Sequence, residues 1–205
     1  MGFRKSAGSM DEWFRVKAEE LRRKYDIAPD TQVDTRDLRR VFDGEGISAP
    51  VLRYDNHYML YLGDDEVYDP LYGIRMLDER ELGLASDGAG IQGTVLLFGR
   101  YVDALLEKSS QLPAEDRKAL AEVYKYSEGD EGGAVFDAIC TSKHFFDTFI
   151  ASSMPPLKPN GRGRRIFNEV RQSNPTDCGL YAVLMAGVLQ GAYSGKSQDL
   201  FTVRH

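Results

Sequence analysis

The chain has 205 residues, 42% of them hydrophobic and 28% charged, with a formal net charge of −6. That length allows one well-buried core rather than two large domains, and the acidic balance argues against nucleic acid or an anionic membrane surface as the main partner. No stretch reaches the roughly 18 uninterrupted apolar residues of a membrane span.

Residues 1–9 are set aside from the fold as a disordered leader or a cloning scar ahead of Met10, and the first residues lack the charged-then-apolar pattern of a secretory signal. A single domain is expected over 10–205. In residues 11–25, Trp13, Phe14, Ala18, Leu21 and Tyr25 recur at helical spacing among charges, the pattern of a surface helix. Asp34 reads as the N-cap of a short helix through Phe42, which Gly44 and Gly46 end. Segments 51–54, 57–62 and 66–69 are rich in Val, Tyr and Leu and separated by polar turns, which predicts an antiparallel meander. Residues 82–93 are glycine-rich and read as a loop. Beyond them, 95–110, 113–126 and 134–150 carry helical patterns, so a helical block is expected at about 95–150, with Pro113 at a first turn. The basic, Pro/Gly-rich segment 154–163 reads as an exposed connection, and 166–170 as a short strand.

The chemistry concentrates near the end of the chain. Two cysteines, Cys140 and Cys178, make no disulfide framework and leave room for one reactive thiol in a reducing compartment. Cys178 stands at the start of a run, Gly179-Leu-Tyr-Ala-Val-Leu-Met, that is apolar on nearly all sides and therefore predicts a buried helix. At a helix N-terminus, unpaired amides and the positive end of the dipole favour a thiolate. Gln172, six positions upstream, is placed to donate to an oxyanion. A thiol nucleophile also needs an imidazole beside it and a group to orient that imidazole. Of the three histidines, His144 lies in a helical pattern and His205 is the last residue. His57, opening an aromatic strand, is the candidate base, and Asp69, ending the next strand, its orienter.

This assignment carries a geometric condition. A regular turn through Gly63–Glu66 pairs Leu60 with Asp69 and puts His57 and Asp69 on opposite faces. One extra residue, a β-bulge, brings them to the same face, so a bulge is predicted here. Asp64 and Asp65 read as solvated turn residues. Cys140 and His144 have the i, i+4 spacing of two metal ligands, but no second pair completes a site and no metal or cofactor is expected. Gly195-Lys196-Ser197 lacks the upstream glycine of a phosphate loop.

His57-Tyr58, Val67-Tyr68-Asp69-Pro70-Leu71 and Gln172-Ser-Asn-Pro-Thr-Asp-Cys-Gly179 together resemble the ubiquitin-like-protein cysteine proteases, the SUMO-protease type. The resemblance implies an α+β fold of the permuted papain-like kind, with an antiparallel sheet, a buried helix bearing the nucleophile, and the block at 95–150 as an insertion able to recognise a host protein. It implies His57 as general base, Asp69 as its orienter, Gln172 as oxyanion donor and Cys178 as nucleophile, with Tyr58, Asn174 and Gly179 beside the substrate. Tyr58 stands where these enzymes usually carry the tryptophan that roofs a diglycine tunnel. The implied activity is removal of ubiquitin or a ubiquitin-like modifier from conjugates, in cytoplasm or nucleus, with delivery from a bacterium into a host cell as one route. The same order also resembles the YopJ-type acetyltransferases, which carry acetyl on the cysteine and use a basic pocket; Lys158, Arg162, Arg164, Arg165 and Arg171 are the candidates here. A third reading is a catalytically inactive binding module on the same fold.

Overall fold

A computed structural model describes residues 7–29, 49–84, 90–91, 93–97, 114, 136–138, 157–193 and 195–205. In chain order the elements are α1 (Ala7–Tyr25), β1 (Ala49–Tyr54), β2 (His57–Gly63), β3 (Glu66–Asp69), β4 (Gly73–Met76), β5 (Gly93–Leu97) and β6 (Phe136–Ala138). They are followed by β7 (Leu157–Pro159), α2 (Gly161–Glu169), α3 (Cys178–Tyr193), a 3₁₀ turn (Gln198–Leu200) and β8 (Phe201–Val203). The fold is α+β. Six strands in the order β4-β3-β2-β1-β5-β6 form an antiparallel sheet, and β7 pairs with β8 separately. Among the described residues no helix is long and apolar enough to cross a membrane.

The core forms where α3 crosses β1, β2 and β3. Tyr58, Leu60 and Leu62 alternate along β2 toward this helix, joined by Val51 and Tyr68 from the flanking strands. Met59, Tyr61 and Val67 occupy the alternate positions and are equally buried. A strand covered on both faces reads in sequence as a continuous apolar run, which is how 58–62 reads. Removing the side chain of Leu60 from this centre is expected to cost about 2–5 kcal/mol. The helix α3 is buried along almost its whole length, as its unbroken apolar sequence requires.

Helix α1 packs on α3 through the edge of Trp13 against Tyr181, ring centroids 5.1 Å apart, while its solvent side carries Arg15–Glu12, Lys17–Glu20 and Arg22–Glu19 pairs. Such i, i+3 pairs contribute only a few tenths of a kcal/mol each, so burial of Phe14 and Leu21 holds this helix in place.

The β2–β3 hairpin turns through Asp64 and Asp65, both left-handed with φ of 54° and 57°. This conformation matches the strand twist, and aspartate tolerates it better than most side chains. The register runs Gly63↔Glu66, then Tyr61↔Val67 and Leu60↔Tyr68, so the bulge anticipated from the sequence is present between Tyr61 and Gly63.

Other expectations are corrected. Residues 95–97 and 136–138 are strands of the main sheet, not helix, so the block at 95–150 is joined to the sheet at two places. Short apolar runs carry no decisive periodicity, and here the β-branched Thr94 and Val95 are compatible with the strand that pairing with β1 imposes. Residues 166–170 are not a strand: 161–169 form α2, started by Asn160, whose side chain accepts from the Gly163 amide. The cap was missed because Gly161 and Gly163 suggest a loop. Gly163 is a packing residue, since a Cβ there would collide with the Leu200 carbonyl. The segment 154–163 thus holds β7 and the start of α2, and residues 7–9, set aside with the leader, are the first turn of α1. The short helix expected over 34–42, and Cys140 with His144, lie outside the described residues.

Candidate active site

Two pieces of backbone meet at the site. The Tyr68 hydroxyl donates to the Val170 carbonyl at 3.0 Å, and the Gln172 amide donates to the Pro70 carbonyl at 2.9 Å. These bonds fasten the loop ahead of α3 to the end of β3, which brings the start of the helix to the start of β2. Gly73 allows the approach: its φ of 84° suits glycine, and a Cβ there would run into the Arg171 guanidinium and the Asn168 side chain.

His57 opens β2 and Asp69 ends β3. The bulge shifts the pairing by one position, so Asp69 falls opposite Met59 and shares a face with His57. His57 Nε2 and Asp69 Oδ1 are 2.7 Å apart. The other ring nitrogen is thereby left free of Asp69, and Cys178 acts on the imidazole electrostatically. Cys178 is 4% exposed, its sulfur 3.9 Å from the Asn56 carbonyl at the tip of the β1–β2 turn.

The electrostatics follow from these contacts. Burial pushes the Cys178 thiol up, but the neighbouring His57 and the amides of Tyr58 and Gly179 outweigh it, and the thiol lies below its ordinary value. Burial disfavours the His57 imidazolium, yet Asp69 and Cys178 outweigh that in turn and raise it to about 9. Asp69 is desolvated too, and His57, the Leu71 amide and Arg75 together hold it below the usual carboxylate range. Both shifts of the Cys178–His57 pair favour a thiolate beside an imidazolium.

The remaining anticipated residues have mixed placements. Tyr58 packs at the start of α3, its ring 3.6 Å from where a Cβ on Gly179 would be. Gln172 Nε2 donates to the Asn174 carbonyl at 3.0 Å, while Oε1 is buried without a hydrogen-bond partner. The amide keeps one N–H uncommitted. Asn174 is exposed and shapes the loop: its side chain donates to Asp177 at 3.0 Å, and its carbonyl accepts the Asp177 amide.

Two residues at the site were not found from the sequence. Arg75, in β4, donates from Nε to Asp69 Oδ2 at 2.9 Å and through both terminal nitrogens to Glu81, at 2.6 and 2.7 Å. Glu81 also accepts the Asp78 amide at 2.8 Å. Reading 66–76 as a hairpin would have placed Arg75 diagonally across from Asp69 on the same face. Nothing in the local sequence points to Glu81.

The five basic candidates do not converge. Arg162 pairs with Asp199, Arg164 grips Glu66 with two hydrogen bonds, Arg165 lies near Glu169, and Arg171 rests over Gly73. Lys158 is exposed on β7. Among the described residues no group of acidic, histidine or cysteine side chains has the arrangement of a metal site. Comparison with protein families, curated proteins and solved structures finds no match to this chain.

Proposed function

We propose that the protein is a cysteine hydrolase of the permuted papain-like kind, acting as an isopeptidase on ubiquitin or a ubiquitin-like modifier. The observation that carries the reading is His57 hydrogen-bonded to a fully buried Asp69 and electrostatically coupled to Cys178 at the mouth of a buried helix. A cysteine that merely fills space has no use for such a partner, and the depressed thiol with the raised imidazole is the state a nucleophile requires.

In this reading the Cys178 thiolate adds to the carbonyl at the modifier's C-terminus. The oxyanion is met by the uncommitted N–H of Gln172 and a backbone amide near Cys178. His57 passes its proton to the departing lysine amine as the C–N bond breaks, leaving a thioester. His57, now neutral, takes a proton from water, which attacks the thioester and releases Cys178. Tyr58 and Gly179 border the groove in which the C-terminal residues lie. The acetyltransferase reading is weaker, because Arg162 and Arg164 are spent on carboxylates and form no pocket for a polyanion.

The test is incubation with ubiquitin, SUMO and related modifiers carrying C-terminal electrophiles, read by intact mass with Cys178→Ala as control. A Cys178-dependent adduct is expected with at least one of them. If none forms while a small alkylating reagent labels Cys178 selectively, the isopeptidase reading is overturned and coenzyme A becomes the ligand to try.

A further inference from the structure

The carboxylate that orients the histidine is itself held from behind. Asp69 has no solvent contact, and a buried carboxylate facing only an imidazole and one amide would tend to take up a proton. Arg75 supplies the missing donor on Oδ2. Arg75 does not carry its charge to Asp69 unopposed, because Glu81, 5% exposed, binds both terminal nitrogens of the same guanidinium. A third contact, from Arg75 to the Met59 sulfur at 3.0 Å, fixes the guanidinium on the face of the sheet that Asp69 shares. Charges thus alternate along a line: Cys178 thiolate, His57 imidazolium, Asp69, Arg75, Glu81.

We infer that Arg75 and Glu81 are a matched positioning pair: Arg75 keeps Asp69 ionised and aimed at His57, and Glu81 offsets the arginine charge so that Asp69 still supports the imidazolium. The inference rests on the Cys178–His57 reading above and adds two residues to it. Its physical content is a difference of sign. Neutralising Glu81 alone leaves a cation beside Asp69 that repels the imidazolium through a low-dielectric interior. Neutralising both removes that cation and the anion together, so the field at His57 returns.

Among the described residues, the charged groups bearing on His57 are Asp69 from β3 and Cys178 from α3, with Arg75 from β4 and Glu81 beyond it acting through Asp69. The chain has two other histidines, so the His57 signal is assigned by comparison with His57→Gln. His57 titration can therefore be followed by NMR of ring-¹⁵N-labelled histidine in a Cys140→Ser background, with Cys178 alkylation by iodoacetamide measured in parallel. Arg75→Met alone would leave two buried carboxylates face to face and is expected to fold poorly. The informative variants are Glu81→Gln and the double variant Arg75→Gln/Glu81→Gln.

In Glu81→Gln the imidazolium titration is expected to fall from about 9 by about one pH unit, and kcat/KM to drop about tenfold through kcat. In the double variant, where the amide introduced at position 75 can still donate to Asp69 and both charges are gone, the titration is expected to return to the starting value. An unmoved titration in Glu81→Gln, or a fall that the double variant deepens, would overturn the inference, since the pair would then be only a structural clasp. Failure of the parent reading looks different: Cys178 alkylates no faster than an ordinary thiol in the unmutated protein, whatever the His57 titration does.

Discussion

The two halves of the candidate site are secured very differently. On the His57 side the polar groups are linked in a chain: Asp69 meets His57, the Leu71 amide and Arg75, Arg75 meets Glu81, and Glu81 meets the Asp78 amide. Around Gln172 the loop is exposed from 173 to 176, the side-chain nitrogen rests on a backbone carbonyl, and Oε1 is buried without a partner. In the proposed reaction the acid–base half is ready before substrate arrives, while the donor of the oxyanion half sits on an exposed loop. Preorganised donors cost no rearrangement at the moment of reaction, whereas a donor held less firmly on an exposed loop returns less.

That contrast ranks the substitutions. Cys178→Ala is expected to lower kcat/KM on a modifier substrate by about 10⁶-fold with the fold intact by circular dichroism, because members of such a unit fail together. Asp69→Asn should cost about 10³–10⁴-fold, since the amide can hold the ring in the wrong tautomer and cannot support an imidazolium. Gln172→Ala should cost about tenfold, below the usual 10²–10³ for an oxyanion donor, because part of its hydrogen-bonding is spent on Asn174. If Gln172→Ala proves as damaging as Asp69→Asn, both halves are equally prepared and the contrast is lost.

The pH dependence of stability sharpens the same point. His57 is raised in the fold from 6.5 to about 9, so its contribution is full below about pH 6.5 and disappears as pH rises through about 9. Asp69 is lowered, so its contribution is present at neutral pH and lost as pH falls through its folded value. Cys178, which is lowered, acts in the opposite sense over the same range, so the test is the difference: urea midpoints measured from pH 6 to 10 should fall less toward the alkaline end in His57→Gln than in the unmutated protein. Parallel curves for the two would mean that the histidine is not stabilised as an imidazolium.

What the sequence revealed follows the same division. The β2–β3 hairpin, its bulge and the buried α3 were legible because alternation and an unbroken apolar run are local signals, and the face condition linking His57 to Asp69 is arithmetic on register. Arg75 and Glu81 were not, because their role arises from a diagonal neighbour across β3–β4 and from a loop residue brought in by tertiary packing. Helix α2 was missed for a different reason: Gly161 and Gly163 mimic a loop, while the second of them is there to let the helix approach Leu200. At 95–97 a short apolar segment fits either period, and the pairing of β5 with β1 decides.

The smallest effect tests where the site ends. Arg164 on α2 holds Glu66 through two hydrogen bonds of 2.7 and 2.8 Å, tying the helix to the start of β3, but both side chains are partly in solvent. Water and salt screen such a pair, so Arg164→Ala should cost about 0–1 kcal/mol of stability, with the difference shrinking in high salt. No polar contact joins Arg164 to the His57–Asp69–Arg75–Glu81 line, so kcat/KM should change by less than about twofold, below 0.5 kcal/mol. A substantially larger loss of activity at unchanged stability would place α2 on the substrate's path, and the contrast between two halves would have to become one among three regions, the last of them basic and facing solvent.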